Sequence, residues 1–314
     1  MITGKVFKST GNWYNVHTSD QELPCRIVGK FRLNDKVLTN PVAVGDDVDI
    51  ELENESQGLI KNIHHRKNYI TRQSPRQKHQ LHLLAANVDQ AMLVITLIQP
   101  MLKPGFVDRF LLMTEPQNIP CMIVVNKCDL FTEDESELFD IMQESYQAIG
   151  HPMYKVSGIT GEGIDDLRRL LKDKITFIGG QSGVGKSTLI NAIQPGLDLR
   201  TTEISEYSGK GTHTTTFAEM HGLDAGGMII DAPGIKTLSF NNLEPMDVAH
   251  NFKEFFILSD ECKFGGNCLH RNEPGCAVKK AIDEGRVSKI RYENYLAILS
   301  EIEDQNYWER HKEM

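Results

Sequence analysis

Two motifs stand in this sequence in an inverted order, and that order constrains the fold more than anything else in the chain. Gly180-Gln181-Ser182-Gly183-Val184-Gly185-Lys186-Ser187 is a complete phosphate-loop pattern. Asn126-Lys127-Cys128-Asp129 fits a guanine-reading loop. Where both occur, the phosphate loop ordinarily comes first; here the base reader precedes it. Both halves of a nucleotide site are present, so a nucleotide can still be held. What changes is where the chain enters and leaves that domain, and hence which flanking parts can feel the nucleotide.

The surroundings suit both motifs. Ile175–Gly179 reads as a strand and Ser187–Ile193 as the start of a helix, the context a phosphate loop requires. Its glycines let backbone N–H groups turn inward around phosphates, and the helix N-terminus adds positive potential. Gly180 to Thr188 would wrap the phosphates, with Lys186 bridging β and γ and Ser187 on Mg²⁺. Met122-Ile123-Val124-Val125 is a strand ending at the base reader. The Asp129 carboxylate can accept from guanine N1–H and the 2-amino group together. Adenine lacks that pair, so an ATPase reading requires Asp129 to be irrelevant. Lys127 would pack over the base and brace the phosphate loop, and Ser157-Gly158 would meet guanine O6.

Asp231-Ala232-Pro233-Gly234 follows an apolar strand, Met228–Asp231. Asp231 would hold Mg²⁺ through water, and the Gly234 N–H would sense the γ-phosphate. Upstream lies Gly211-Thr212-His213-Thr214-Thr215-Thr216, from which Thr215 is the expected second Mg²⁺ ligand in a switch loop. Ile235 follows Gly234 and cannot orient an attacking water, so His213 is the local candidate for that task. The competing reading is a GTP-gated RNA- or protein-binding module that has lost hydrolysis.

Around these motifs the chain alternates strands and helices from Val88 onward: strands at Met92–Leu97, Cys121–Val125 and Tyr154–Ser157, helices at Val107–Pro116, Glu135–Ile149 and Ile164–Lys172, and a strand at Phe217–His221. That alternation predicts a mainly parallel α/β sheet. Residues 1–70 instead carry short strands with turns, at Lys5–Ser9, Trp13–His17, Cys25–Val28, Asp47–Leu52 and Leu59–His64, which suggests a small OB-like or SH3-like barrel. Residues 71–87 read as a basic linker, 88–243 as the nucleotide domain and 244–314 as helices around a Cys/His cluster.

That cluster is Cys262-x5-Cys268-x-His270-x5-Cys276. Three thiolates and an imidazole make a closed tetrahedral set, so one structural Zn²⁺ is expected. The other three cysteines are scattered and no secreted disulfide framework is apparent, which fits a reducing, cytoplasmic setting. No apolar run approaches the ~20 residues of a bilayer span. A net charge of −9 argues against bulk nucleic-acid binding, yet Ser56 to Val88 holds no acid and carries Lys61, Arg66, Lys67, Arg72, Arg76 and Lys78.

Together, Asn126–Asp129, Ser157, Gly180–Thr188, Gly211–Thr216, Asp231–Gly234, the N-terminal barrel and the Cys262/Cys268/His270/Cys276 cluster resemble the RsgA (YjeQ-type) family of circularly permuted bacterial GTPases that depend on the small ribosomal subunit. The resemblance implies an OB-like barrel, a permuted P-loop GTPase domain and a helical zinc domain. It implies GTP hydrolysis to GDP and phosphate, stimulated by the 30S subunit during its late maturation, with 16S rRNA as partner. The family's switch histidine maps onto His213, and an apolar residue at the Ile235 position is usual there. A monomer is expected.

Overall fold

The N-terminal segments alternate buried and exposed residues, and they close into a barrel. Its strands are β1 (Ile2–Ser9), β2 (Tyr14–His17), β3 (Glu22–Ile27), β4 (Asp47–Asn54) and β5 (Gln57–Ile63), ordered β1-β2-β3-β5-β4 with β4 returning to pair with β1. Leu23, Cys25 and Ile27 of β3 point inward and the residues between them outward, as a half-buried strand requires. They meet Val6, Tyr14, Val16, Val48, Ile50 and Ile60 in a sealed core. The pairing of β3 with β5 is parallel and the other barrel pairings are antiparallel. The computed structural model describes residues 1–29, 38, 40–73, 80–199, 218–232 and 243–310. His213, Thr215, Gly234 and Ile235 fall outside these stretches.

Where an irregular linker was expected, the chain forms a hairpin of β6 (Tyr69–Gln73) and β7 (Leu81–Ala86). The reason is apolar: Ile70, Leu84 and Ala85 join the core of the nucleotide domain, while Leu83 and Ala86 pack with Ala43. The hairpin's ladder satisfies backbone groups that burial would otherwise orphan.

The nucleotide domain follows as β8 (Gln90–Ile95), β9 (Cys121–Val125), β10 (Met153–Lys155), β11 (Ile175–Gly180), β12 (Glu219–Gly222) and β13 (Met228–Asp231). They are ordered β10-β9-β8-β11-β13-β12, all parallel except β12. Every residue of β8 and β9 is buried, the signature of a parallel sheet covered on both faces. One face is covered by α1 (Phe106–Thr114) and α2 (Glu133–Gln147), through Phe106, Phe110 and Phe139. The other is covered by α3 (Ile164–Leu171) and α4 (Lys186–Ile193), through Leu167, Leu189 and Ile190.

Two joints hold the parts together. Lys8 of β1 pairs with Glu219 of β12, in register and by a 2.8 Å ion pair, which merges barrel and nucleotide sheet into one eleven-stranded sheet. Beside it, buried Asp46 takes a two-pronged bond from Arg66, 2.7 Å on each side, and the backbone N–H of Ala43 at 2.8 Å. Gly45 sits there at φ +93°, and a Cβ would run into the Ala86 carbonyl oxygen, so only glycine fits.

The C-terminal part is helical, as expected: α5 (Pro245–Asn251), α6 (Lys253–Ser259), α7 (Ala277–Asp283) and α8 (Lys289–Arg310). Pro245 opens α5 at its first turn behind a Glu244/Asp247 capping box. Phe252, Phe255, Val278, Tyr295 and Ile298 form a core with the three clustered cysteines and with Leu112 of α1.

Candidate functional site

The parallel strands deliver their carboxyl ends to one edge of the sheet, where ligands of open α/β folds bind. Gly180 lies level with Val94, and Ile178 with Asp231. The base reader therefore follows β9, the Ser157 turn follows β10, the phosphate loop follows β11 and Asp231 ends β13, all at that edge. Inverting the motif order leaves this convergence intact.

The phosphate loop is shaped by its glycines. A Cβ at Gly180 would collide with the Val94 carbonyl oxygen, and Gly183 and Gly185 hold φ of +85° and +84°. Val184 is fully buried and anchors the loop in the core. Lys186 folds back over the loop, donating to the carbonyls of Gly180 at 3.0 Å and Gln181 at 2.9 Å. Burial pulls its ammonium down to about 8, against the opposing pull of Asp231. An incoming phosphate would restore that charge. Ser187 and Thr188 occupy the first turn of α4, half-buried.

On the base side, Asn126 ties the loops together. Its Nδ2 donates to the Val184 carbonyl at 2.9 Å, and its Oδ1 accepts from the Gly158 N–H at 3.1 Å. One buried amide thus pins base reader, phosphate loop and Ser157 turn together. Lys127, at φ 68°, donates to the Gly183 carbonyl at 3.1 Å and also to the Gln99 carbonyl. Asp129 is exposed and makes no hydrogen bond among the described residues, so its carboxylate is available to a base. Ser157 is fully buried, and its hydroxyl accepts from the N–H groups of Thr160 at 3.1 Å and Ile159 at 3.3 Å, shaping the turn from within.

Sequence reading missed the segment after β8. Thr96 donates to the Pro100 carbonyl at 2.7 Å, Gln99 braces Lys127, and Pro100 lies against Gly183. A Gln-Pro pair in a loop carries no motif, so nothing in the sequence marked it.

The second site lies among α5 to α8. The ligand atoms of Cys262, Cys268, His270 and Cys276 all lie within 4.8 Å of one another, and all four residues are buried. Two sulfurs approach His270 Nδ1 closely, Cys276 at 3.5 Å and Cys262 at 3.7 Å. A tetrahedral centre with bonds of ~2.3 Å to sulfur and ~2.0 Å to nitrogen would put those atoms about 3.6 Å apart. Those two separations match a tetrahedral centre, and the set fits a bound metal. Burial pushes the Cys268 thiol up to about 12 and holds the His270 imidazole neutral, so a metal is what would make the thiolates. The Ala277 N–H already donates to Cys262 Sγ at 3.2 Å, and Tyr292 fixes the His270 carbonyl at 2.7 Å.

Comparisons with known proteins bear on both sites. A profile described as the RsgA GTPase matches residues 63–241, and one described as the RsgA N-terminal domain matches residues 3–60. The chain belongs to the RsgA GTPase family. A relative from Bacteroides fragilis, named small ribosomal subunit biogenesis GTPase RsgA, is 48% identical over 307 residues, 98% of this chain and 99% of that protein. One of the same name from Flavobacterium psychrophilum is 46% identical, covering 98% and 94%. The crystal structure of YjeQ from Thermotoga maritima superposes with a TM-score of 0.76 at 36% identity, over 96% of this chain and 98% of that one. YloQ, described as a circularly permuted GTPase, superposes at 0.71 and 31% identity, over 97% and 96%. The three-part architecture expected of an RsgA GTPase is the one found here.

Proposed function

We propose that the chain hydrolyses GTP to GDP and phosphate in the service of small ribosomal subunit biogenesis. The observation that carries this reading is the Asn126 tie, which brings a guanine reader with an open Asp129 carboxylate against a phosphate loop already in working shape. The names of full-length relatives supply the biological setting. Guanine would pack over Lys127 and bond Asp129. The phosphates would lie on Gly180–Thr188 with Lys186 across them, balancing the charge that develops on the leaving group. The backbone of the Ser157–Gly158 turn would face the base edge, held by the Ser157 hydroxyl.

Mg²⁺ would be held by Ser187 and Thr215, with Asp231 in reach through water and Gly234 at the γ-phosphate; when bound it would neutralise phosphate charge. With Ile235 unable to orient water, His213 is the proposed catalytic group. The metal in the Cys262/Cys268/His270/Cys276 centre is proposed to be zinc, structural because four protein ligands leave no open position.

The proposed division is a barrel at 1–70, a basic linker at 71–87 that carries most of the β6–β7 hairpin, a GTPase domain at 88–243 and a zinc domain at 244–314. Barrel and zinc domain would contact 16S rRNA on the 30S subunit, with the chain acting as a cytoplasmic monomer. No helix among the described residues is long and apolar enough to cross a membrane. Multiple-turnover GTP hydrolysis with and without purified small subunits, for the native chain and His213→Ala, tests the reading. Subunit-stimulated turnover that collapses in the variant is expected. Tight GTP binding without stimulated turnover would instead favour the hydrolysis-deficient module.

A further inference from the structure

We propose that Asp108 and Arg291 are positioning residues through which the C-terminal helical domain and the guanine-nucleotide pocket sense each other. The inference rests on the reading of that pocket given above. Its route is separate in sequence from the Thr-rich segment and from the residues after Asp231, where coupling would otherwise be sought.

Helix α1 belongs to two cores at once. Phe106, Val107 and Phe110 lie in the nucleotide-domain core, while Leu112 lies in the C-terminal core. Between these faces sits Asp108, a carboxylate only 1% exposed. One of its oxygens accepts from Arg291 and from the Tyr146 hydroxyl at 3.1 Å; the other accepts from Asn294 at 2.6 Å. Arg291, 2% exposed, turns its other edge to Glu254, with Nε at 2.6 Å and Nη2 at 3.0 Å. Its guanidinium lies 4.8 Å from the Phe252 ring centroid and 5.5 Å from that of Tyr146. At the rim, Arg109 pairs with Glu301 at 2.6 Å.

A buried charged network of this kind is a poor glue, because desolvation offsets much of its attraction. It is, however, strict about geometry. Fork-shaped donors facing fixed carboxylates tolerate little sliding, so α8 and α1 must move as one body.

The segment leading into α1 carries that constraint to the nucleotide. Gly105 lies against Asn294. A few residues earlier, the Gln99 carbonyl receives the Lys127 ammonium, which also holds the Gly183 carbonyl of the phosphate loop. Pro100 packs on Gly183, and Thr96 bonds the Pro100 carbonyl. A nucleotide seated over Lys127 and on the phosphate loop therefore restrains Gln99–Pro100, then α1, then α8. By reciprocity, a partner whose grip on the C-terminal domain is changed by nucleotide changes nucleotide affinity by the same factor.

Hydrogen–deuterium exchange on the full-length, metal-loaded protein, with and without GDP, tests this. In the native chain GDP is expected to slow exchange at 180–188, at 96–105, and about fivefold across 289–304. In Arg291→Met the protection at 180–188 and 96–105 should persist and that at 289–304 should vanish. Should that variant fail to fold, Asn294→Ala keeps the charges paired and should still cut the protection at 289–304 by half or more. Native protection that stops at 96–105, or spread that survives in the variants undiminished, overturns the coupling. Absence of protection at 180–188 would overturn the pocket reading and the coupling with it.

Discussion

At the scale of single residues, the site separates groups that shape it from groups left open to a ligand. Asn126 and Ser157 spend their polar atoms inside the protein, whereas Asp129 spends none. Asp129→Ala should therefore weaken guanine nucleotides by roughly 10- to 100-fold, the worth of about 1.5–3 kcal/mol in charge-assisted bonds, and leave ATP binding unchanged. Competition binding against a fluorescent GDP analogue reads both. Lys186 makes a second prediction. Its ammonium is pulled down to about 8 in the free protein, below the usual lysine range, because burial disfavours the charged form. Below that pH the lysine is charged in both folded and unfolded chains, and the burial penalty is present in full. As pH rises from about 8 toward the unfolded value near 10.5, the unfolded state binds more protons, so stability rises, by at most about 3 kcal/mol. Urea unfolding of the native chain against Lys186→Met should show this pH dependence in the native chain alone. Phosphate binding should conversely weaken above pH 8, because the lysine must then take up a proton to bind.

At the scale of elements, the local patterns were legible and the long-range joints were not. Alternation in β3, the continuous apolar runs of β8 and β9 and the glycine spacing of the phosphate loop are written in neighbouring residues, so those elements were readable. The Lys8–Glu219 pairing, which merges two domains into one sheet, joins residues remote in sequence and leaves no local trace. The β6–β7 hairpin was missed because basic residues at 66–82 outweighed a short apolar stretch, Leu83–Ala86, whose burial decides the matter. The Asp108–Arg291 pair was hidden for the same reason as the β1–β12 joint: each is one charge in an amphipathic helix until the fold brings them together. The barrel joint yields its own prediction. Gly45→Ala forces a Cβ into the Ala86 carbonyl at a backbone angle alanine avoids, and should destabilise by about 2–4 kcal/mol. In urea the barrel should then unfold ahead of the nucleotide domain, read in a Trp308→Phe background as a change in Trp13 fluorescence that precedes loss of GDP binding.

At the scale of the whole molecule, the inverted motif order has a physical consequence. Opening the nucleotide domain between its switch end and its base-reading end leaves the carboxyl end of every parallel strand at the same edge, with the barrel before that domain in the chain and the metal domain after it. The metal domain builds its core around its own ligands, so Cys268→Ser or chelation should unfold α5–α7, with metal binding worth about 10–16 kcal/mol to such centres. Loss of helical circular dichroism together with loss of one bound metal per chain would register it; GDP binding should survive with a changed affinity. What no strand or helix pattern could specify is the partner, because an rRNA surface is set by summed charge and shape rather than by any one motif. The pocket is expected to turn over GTP in response to the small ribosomal subunit. The most direct measurement is steady-state phosphate release from GTP by the full-length chain, alone and with purified 30S subunits, beside Lys186→Met as the dead control. Stimulation of at least about tenfold, absent in Lys186→Met, is the result expected. Equal rates with and without subunits, at saturating GTP and confirmed binding, would contradict it.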